Sequence, residues 1–234
     1  QLVGAAQTIH VGDLAAISVG FRTPTLTGDV TTDGSAGTLA IDSYGRQDGS
    51  HNLTFSGNTI SLGGKSLVIN GHAAGGNVDS IAEANNEKTT FANVTFDTTG
   101  NVSVGRGSLQ VQGDSNVTVG GQLLAGTAWQ NVILQDAAAV TVTGGVDFRN
   151  VASNLALDGG TLTTPWIWGN RTFGGASRTI FNGTRVVASA DSPDFLRMSL
   201  DFDKGAHSAP AEIANGGAIF DTNGHDITLA NILT

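Results

Sequence analysis

The chain of 234 residues contains 33 Gly, only 4 Pro and no Cys, and 13 % of its residues are charged. Gly is about twice and charge about half as frequent as in average soluble domains, which excludes a collagen and argues against intrinsic disorder. The lack of Cys excludes disulfides and thiolate metal sites, and the formal net charge of −9 argues against nucleic acid and anionic membranes as partners, because both attract clustered Lys and Arg.

The first 50 residues show no regular strand pattern. They begin Gln1-Leu2-Val3-Gly4, without the basic and long apolar segments of a signal peptide, so an exported chain would have lost one or been part of something longer. No apolar run in the sequence approaches the roughly 20 residues of a membrane span, which predicts no membrane insertion by this segment. We expect one unit over 1–234, a fragment of a longer repetitive chain, with 1–50 as a less regular candidate N-terminal cap.

From residue 53 onward the chain repeats a short unit in which apolar residues alternate with polar ones and Gly, Asn or Asp follows. Period-2 alternation predicts short strands with one buried face, and the Gly and Asn stops predict turns. The clearest units are Leu53-Thr54-Phe55, Ile60-Ser61-Leu62, Leu67-Val68-Ile69, Val94-Thr95-Phe96, Val102-Ser103-Val104, Leu109-Gln110-Val111, Val117-Thr118-Val119, Val140-Thr141-Val142 and Leu155-Ala156-Leu157. Between them, Ser80-Ile81-Ala82-Glu83 has a capping-box pattern that predicts a helical turn or two.

Asn recurs immediately before these units, and its spacing indicates the fold. Asn93, Asn116, Asn131 and Asn154 follow one another at steps of 23, 15 and 23 residues, and a loose period in the 20s predicts an all-β parallel β-helix, or solenoid. Two roles for Asn stay open: amide ladders along the stack and tolerance of turn geometry. The alternative fold is an antiparallel sandwich or jelly roll, disfavoured because two-residue hairpin loops are lacking.

Trp166 and Trp168 lie two residues apart with Ile167 between them. On a strand, Ile167 must face away from both indoles. If Ile167 enters a narrow core, the two Trp side chains form an exposed surface for stacking against sugar rings; if they face inward, they fill the core. The first arrangement would make Trp166 and Trp168 a ligand-binding site for carbohydrate.

Farther along, a break is expected around Asp191-Ser192-Pro193-Asp194, followed by a strand that carries Asp201 and Asp203 on one face. Side chains two residues apart on a strand are roughly 7 Å apart, near the separation of the two carboxylates of an inverting glycosidase. Asp201 and Asp203 are therefore the candidate catalytic residues, and the alternative is an ordinary exposed acidic pair.

The segment from Asn215 to Ala230 reads NGGAIFDTNGHDITLA and resembles the autotransporter-associated β-strand repeat of long bacterial surface proteins. The resemblance covers about 20 residues closely and implies a right-handed parallel β-helix, an extracellular location and a passenger or adhesin-like role, with no catalytic residue to transfer. Asp221, Asn223 and Asp226 of this segment are candidate calcium ligands, although the closing Glu of an EF-hand is missing.

We therefore expect an extracellular structural or adhesive scaffold of a bacterial surface or secreted protein, which assembles end-to-end or laterally and is not an enzyme. Its expected partners are copies of itself, other cell-surface proteins and glycans, and it needs no cofactor apart from the Ca²⁺ named above. The alternative is a polysaccharide-active β-helix, either a lyase or a glycoside hydrolase, that uses these Asp and Trp residues, or a carbohydrate-binding module that uses the same Trp residues.

Overall fold

The structure is a computed structural model that describes residues 6–10, 25–42, 52–70, 88–125, 130–149, 153–170, 178–199, 211–229 and 233. These residues form strands and turns; none of them is helical, and none belongs to a helix that could cross a membrane. The predicted all-β class is therefore confirmed. Residues 80–87, for which a helical turn is predicted, lie outside the described residues.

Every pairing between described strands is parallel, at sequence separations of 20 to 36 residues. An antiparallel sandwich or jelly roll would pair strands through hairpins, so that alternative is wrong. These separations suit parallel pairing, because the chain needs a connection of about a dozen or more residues to return to a parallel neighbour.

The strands form three columns, and the neighbours within a column are hydrogen-bonded to each other. Column one contains β1 Ala6–His10, β4 Gly37–Asp42, β7 Lys65–Asn70, the first part of β10 Val102–Gln112, β12 Leu123–Ala125, β14 Val146–Phe148, β16 Ile167–Asn170, β19 Ser192–Ser199 and β22 Ile227–Leu229. Column two contains β2 Thr25–Leu26, β5 Leu53–Ser56, β8 Lys88–Ala92, the second part of β10, the first parts of β13 Gln130–Val142 and β15 Ser153–Thr164, β17 Arg178–Asn182 and β20 Glu212–Ile213.

Column three contains β3 Val30–Thr31, β6 Thr59–Ser61, β9 Thr95–Thr98, β11 Asn116–Val119, the last parts of β13 and β15, β18 Thr184–Ala188 and β21 Ala218–Asp221. The chain visits columns one, two and three in this order, again and again; one such pass is called a level. The four strands from residues 6–42 belong to the same columns as all later strands.

Apolar side chains at matched register positions stack on each other from level to level. Because side chains alternate between the two faces of a strand, each in-register column has an unbroken row of inward-facing side chains. We call this row the inward file of the column. The file of column one is Leu39, Leu67, Val102, Leu123, Val146, Ile167, Leu196 and Leu229. That of column two is Leu26, Phe55, Phe91, Val111, Leu134, Leu157, Phe181 and Ile213. That of column three is Val30, Ile60, Phe96, Val117, Val140, Leu162, Val186 and Phe220.

Asn side chains near the strand ends join consecutive levels. In five cases the side-chain oxygen accepts a hydrogen bond of 2.7–2.9 Å from a backbone N–H of the next level: Asn52 from Lys88, Asn93 from Asp114, Asn101 from Gln122, Asn154 from Arg178 and Asn182 from Gly216. These are bonds from backbone to amide, not ladders of amide to amide. Asn93 also has a positive φ of 55°, so tolerance of turn geometry contributes at that position.

Candidate functional site

The two adjacent Trp residues lie on the outer side of column one. Ile167 is fully buried in the inward file, and Trp166 and Trp168 on either side of it are half-buried. Their rings stack on each other with centroids 4.1 Å apart and an angle of 24° between the planes. The alternation of β16 thus brings both indoles to one place on the outer surface.

Both indole rings have close neighbours within the fold. A Cβ built on Gly145 would lie 2.2 Å from a Trp166 ring carbon, so this ring rests on the bare backbone of the preceding level. Trp166 stacks on Trp168, and the guanidinium of Arg149 lies over the Trp168 ring, 5.1 Å from its centroid. Both Trp side chains are half-buried, so each keeps part of its surface accessible.

Two ion pairs surround the stacked indoles. Arg149 binds Asp147 through two hydrogen bonds, Nε to Oδ1 at 2.7 Å and Nη2 to Oδ2 at 2.5 Å. On the next level Arg197 and Asp194 are paired at 3.3 Å, and the Trp168 indole N–H donates to the Asp194 carbonyl at 3.2 Å. We call Asp147, Arg149, Trp166 and Trp168 the Trp cluster; it combines two half-buried aromatic rings with a paired Arg and Asp.

Sequence reasoning missed Asp147 and Arg149. The register between levels is the signal that could have found them. Asp147 pairs with Trp168, and Trp168 pairs with Arg197, so these residues occupy one register position on three successive levels. The candidate catalytic residues Asp201 and Asp203 lie outside the described residues, since the strand that leads toward them ends at Ser199.

The candidate calcium ligands lie in and after the last strand of column three. Asp221 accepts hydrogen bonds from the Arg185 guanidinium and from the Asn223 backbone N–H, and these two contacts lower the pKa of Asp221 below 3.8. A guanidinium on the carboxylate competes with a bound cation. Among the described residues, no three His, Cys, Asp or Glu side chains form a group that could hold a metal ion.

Asp226 acts through its backbone. Its N–H donates to Asp191 Oδ1 at 3.1 Å, and His225 Nδ1 lies 3.1 Å from the same oxygen. The backbone bond from Asp226, followed by the bond from His225, lowers the pKa of Asp191 below 3.8. The segment 221–226 is thus hydrogen-bonded to the preceding level at both of its ends, to Arg185 through Asp221 and to Asp191 through His225 and Asp226.

One charged side chain enters the interior. Lys65 lies on the same inward face of its strand as Leu67 and Ile69, and its side chain is 0 % exposed. Its ammonium donates to Asp33 Oδ1 at 2.9 Å, to Ser35 Oγ at 2.7 Å and to the Ser35 carbonyl at 3.1 Å. All three protons of the amine are thereby bonded, which identifies Lys65 as a structural tie to the preceding level, because a buried charge needs such partners.

Comparison of the chain with protein-family models, with curated proteins and with solved structures finds no match in any of the three.

Proposed function

We propose that the three columns close into a right-handed parallel β-helix and that this rod is a structural or adhesive scaffold of a bacterial surface or secreted protein. The observation that carries the proposal is the fixed order in which the chain visits the columns, with apolar inward files in all three. Each level buries the apolar face of its neighbour, so length is added by repetition. The resemblance of residues 215–230 to the autotransporter-associated repeat supports the handedness and the extracellular location.

The outer surface suits a scaffold. One outward register position of column three carries Thr59, Thr95 and Asn116 on three successive levels, and only 13 % of the chain's residues are charged. Asn-to-backbone bonds and stacked core files hold the levels together without any Cys. A surface of this kind contacts partners through hydroxyl and amide groups, and its expected partners are glycans, other surface proteins and copies of the chain.

The proposal is tested by adhesion. Beads coated with the folded chain should adhere to each other or to glycan-coated surfaces under flow, and beads coated with heat-unfolded chain should not. Equal adhesion of both kinds of bead would contradict the scaffold.

The alternative, a polysaccharide-active or polysaccharide-binding β-helix, depends on the Trp cluster together with Asp201 and Asp203. It predicts release of reducing ends or of unsaturated uronates from neutral or acidic polysaccharides, with loss on Asp201→Asn or Asp203→Asn. A binding module predicts glycan retention that Trp168→Ala abolishes. Turnover that depends on Asp201 or Asp203 would contradict the scaffold function and support the enzyme.

A further inference from the structure

Several Asn residues of the chain lie in the tripeptide Asn-x-Ser/Thr, in which x is not Pro. This tripeptide is the sequon at which an Asn side chain accepts a glycan in exported proteins. The Asn residues of the sequons are Asn52, Asn93, Asn101, Asn116, Asn170 and Asn182. Bacterial oligosaccharyltransferases also recognise an acidic residue two positions before the Asn. Only the sequon of Asn116 has one, since the sequence there reads DSNVT.

Four of the other sequons use the Asn side chain to join two levels. In each of these four, the side-chain oxygen accepts a backbone N–H of the next level, as described above for Asn52, Asn93, Asn101 and Asn182. The next level lies directly on the amide, because a Cβ on Gly113 would overlap Asn93 Oδ1 and a Cβ on Gly121 would overlap Asn101 Oδ1. A glycan on such an amide would disturb the contact between the levels.

Asn116 has a different environment. It begins β11 directly after the turn at 113–115, and its side chain is exposed. Its side-chain amide forms no hydrogen bond with the described part of the chain. The register neighbours of Asn116 are Thr95 on the preceding level and Ala139 on the next level, and both are short and exposed. The outer face of column three therefore has room for a sugar at this position.

The alternation of β11 places the rest of the sequon on the same surface. Val117 is buried in the inward file of column three, so Asn116 and Thr118 on either side of it both face outward and are exposed. The hydroxyl of Thr118 is the group that the sequon requires two residues after the Asn. Asp114, the acidic residue of the sequon, is exposed as well. All the residues by which a transferase recognises the site thus lie on the outer surface of one level.

We propose that Asn116 is an N-glycosylation site, which accepts an oligosaccharide from a polyprenyl-diphosphate donor during export. Asn116 Nδ2 forms a bond to the anomeric carbon of the first sugar, and the bond between this carbon and the diphosphate oxygen breaks. The amide loses one proton to a base of the transferase, and polyprenyl diphosphate leaves. The inference rests on the proposed extracellular location and goes beyond the scaffold function.

The order of events follows from the pairing of β11. This strand is hydrogen-bonded on both sides, to β9 and to β13, so it cannot enter the active site of a transferase once the level is stacked. Transfer therefore precedes the stacking of this level. The folded chain keeps the glycan because Asn116 faces outward, and the glycosylated chain should have the same circular dichroism as the unmodified chain.

The test is export of the chain, behind a signal peptide, from a bacterial cell that carries an oligosaccharyltransferase and its lipid-linked oligosaccharide. We expect the intact mass of the folded product to increase by one glycan, and peptide mapping to place this glycan on Asn116. Asn116→Gln and Thr118→Ala should lose the glycan, whereas Thr118→Ser should keep it. Thr141→Ala is the matched control, because it removes a hydroxyl from the same register position one level later and should leave the glycan in place.

A chain without glycan, from cells that glycosylate a reporter carrying DSNVT in a flexible tail, would overturn the proposal. A folded product with its glycan on Asn93 or Asn101 and none on Asn116 would also overturn it. If Thr118→Ala does not retain the native circular dichroism, the peptide map of the native chain decides. An unmodified chain whose beads still adhere would reject the glycan and leave the scaffold standing, whereas a chain glycosylated at Asn116 whose beads do not adhere would keep the glycan and reject the scaffold.

Discussion

At the scale of single residues, the levels are joined by polar groups at their turns as well as by the core. The Asn101 side chain accepts the N–H of Gln122 at 2.8 Å, and the Gly121 Cα lies so close that a Cβ there would be 2.2 Å from the Asn101 oxygen. A single hydrogen bond contributes about 1 kcal/mol. Five such Asn bonds together contribute about 5 kcal/mol and also fix the spacing and register of successive levels.

Gly145 is the residue on which the Trp cluster depends. We expect Gly145→Ala to destabilise the fold by about 2–4 kcal/mol, because the new methyl group would overlap the Trp166 ring and because φ is +96° there. Gly57→Ala is the matched control, since its φ is +69° with open space around the site, and it should cost about 1–2 kcal/mol. Denaturant unfolding measures both, and Trp fluorescence should change only in Gly145→Ala. Equal losses without a change in emission would mean that Trp166 does not rest on Gly145.

At the scale of elements, alternation is enough to predict most strands. The unit Leu53-Thr54-Phe55 becomes β5 with both apolar side chains buried, because the period-2 pattern directly reports which face meets the core. The expected break around Asp191 to Asp194 lies slightly earlier: β18 ends at Ala188 and β19 runs from Ser192 to Ser199, with a register irregularity between Ser192 and Leu196. Proline is tolerated at such an irregularity because no ladder N–H is required there.

The candidate site was harder to predict than the strands. The outward direction of Trp166 and Trp168 follows from the inward Ile167, but their mutual stacking depends on Gly145 and Arg149, which lie about 20 residues earlier and become neighbours only through the register. Sequence spacing within one strand carries no information on that contact. For Asn, sequence reasoning anticipated side chains that join the levels and turn tolerance at Asn93, but not the backbone N–H groups that are the partners, since these lie on another level.

The last strands should respond to acid, because two carboxylates tie them to the preceding level. Asp221 and Asp191 both have a pKa lowered below 3.8 by their hydrogen bonds, so each stabilises the fold fully above that pH, and the contribution is lost as pH falls through the lowered value. Hydrogen exchange of residues 218–229, corrected for its intrinsic pH dependence, should accelerate as pH falls from about 4 to about 2.

The double variant Asp191→Asn and Asp221→Asn should exchange faster than the native chain at pH about 5 and should lose most of this extra acid sensitivity. Asp114→Asn, an exposed turn residue on an earlier level, is the control for a change of net charge and should leave the pH response of residues 218–229 intact. An unchanged acid response in the double variant would show that other groups hold the last strands.

At the scale of the whole molecule, stability is shared between neighbouring levels, so the cost of a core substitution should depend on its position in the stack. Phe91 packs between Phe55, at 5.7 Å between ring centroids, and Phe96, at 5.3 Å, and it is fully buried. Phe220 contacts Phe181 at 5.3 Å but lies half-buried on the last level. A substitution on an interior level removes contacts with two neighbouring levels. A substitution on the last described level removes contacts with one.

We therefore expect Phe91→Ala to lower the free energy of unfolding by about 3–5 kcal/mol and Phe220→Ala by less than about 2 kcal/mol. Equilibrium unfolding in denaturant, at a protein concentration low enough to keep the chain monomeric, measures both values. The two substitutions remove the same atoms, one from column two of an interior level and the other from column three of the last described level. Equal losses would mean that Phe220 is packed as deeply as Phe91, and that stability is not graded along the stack.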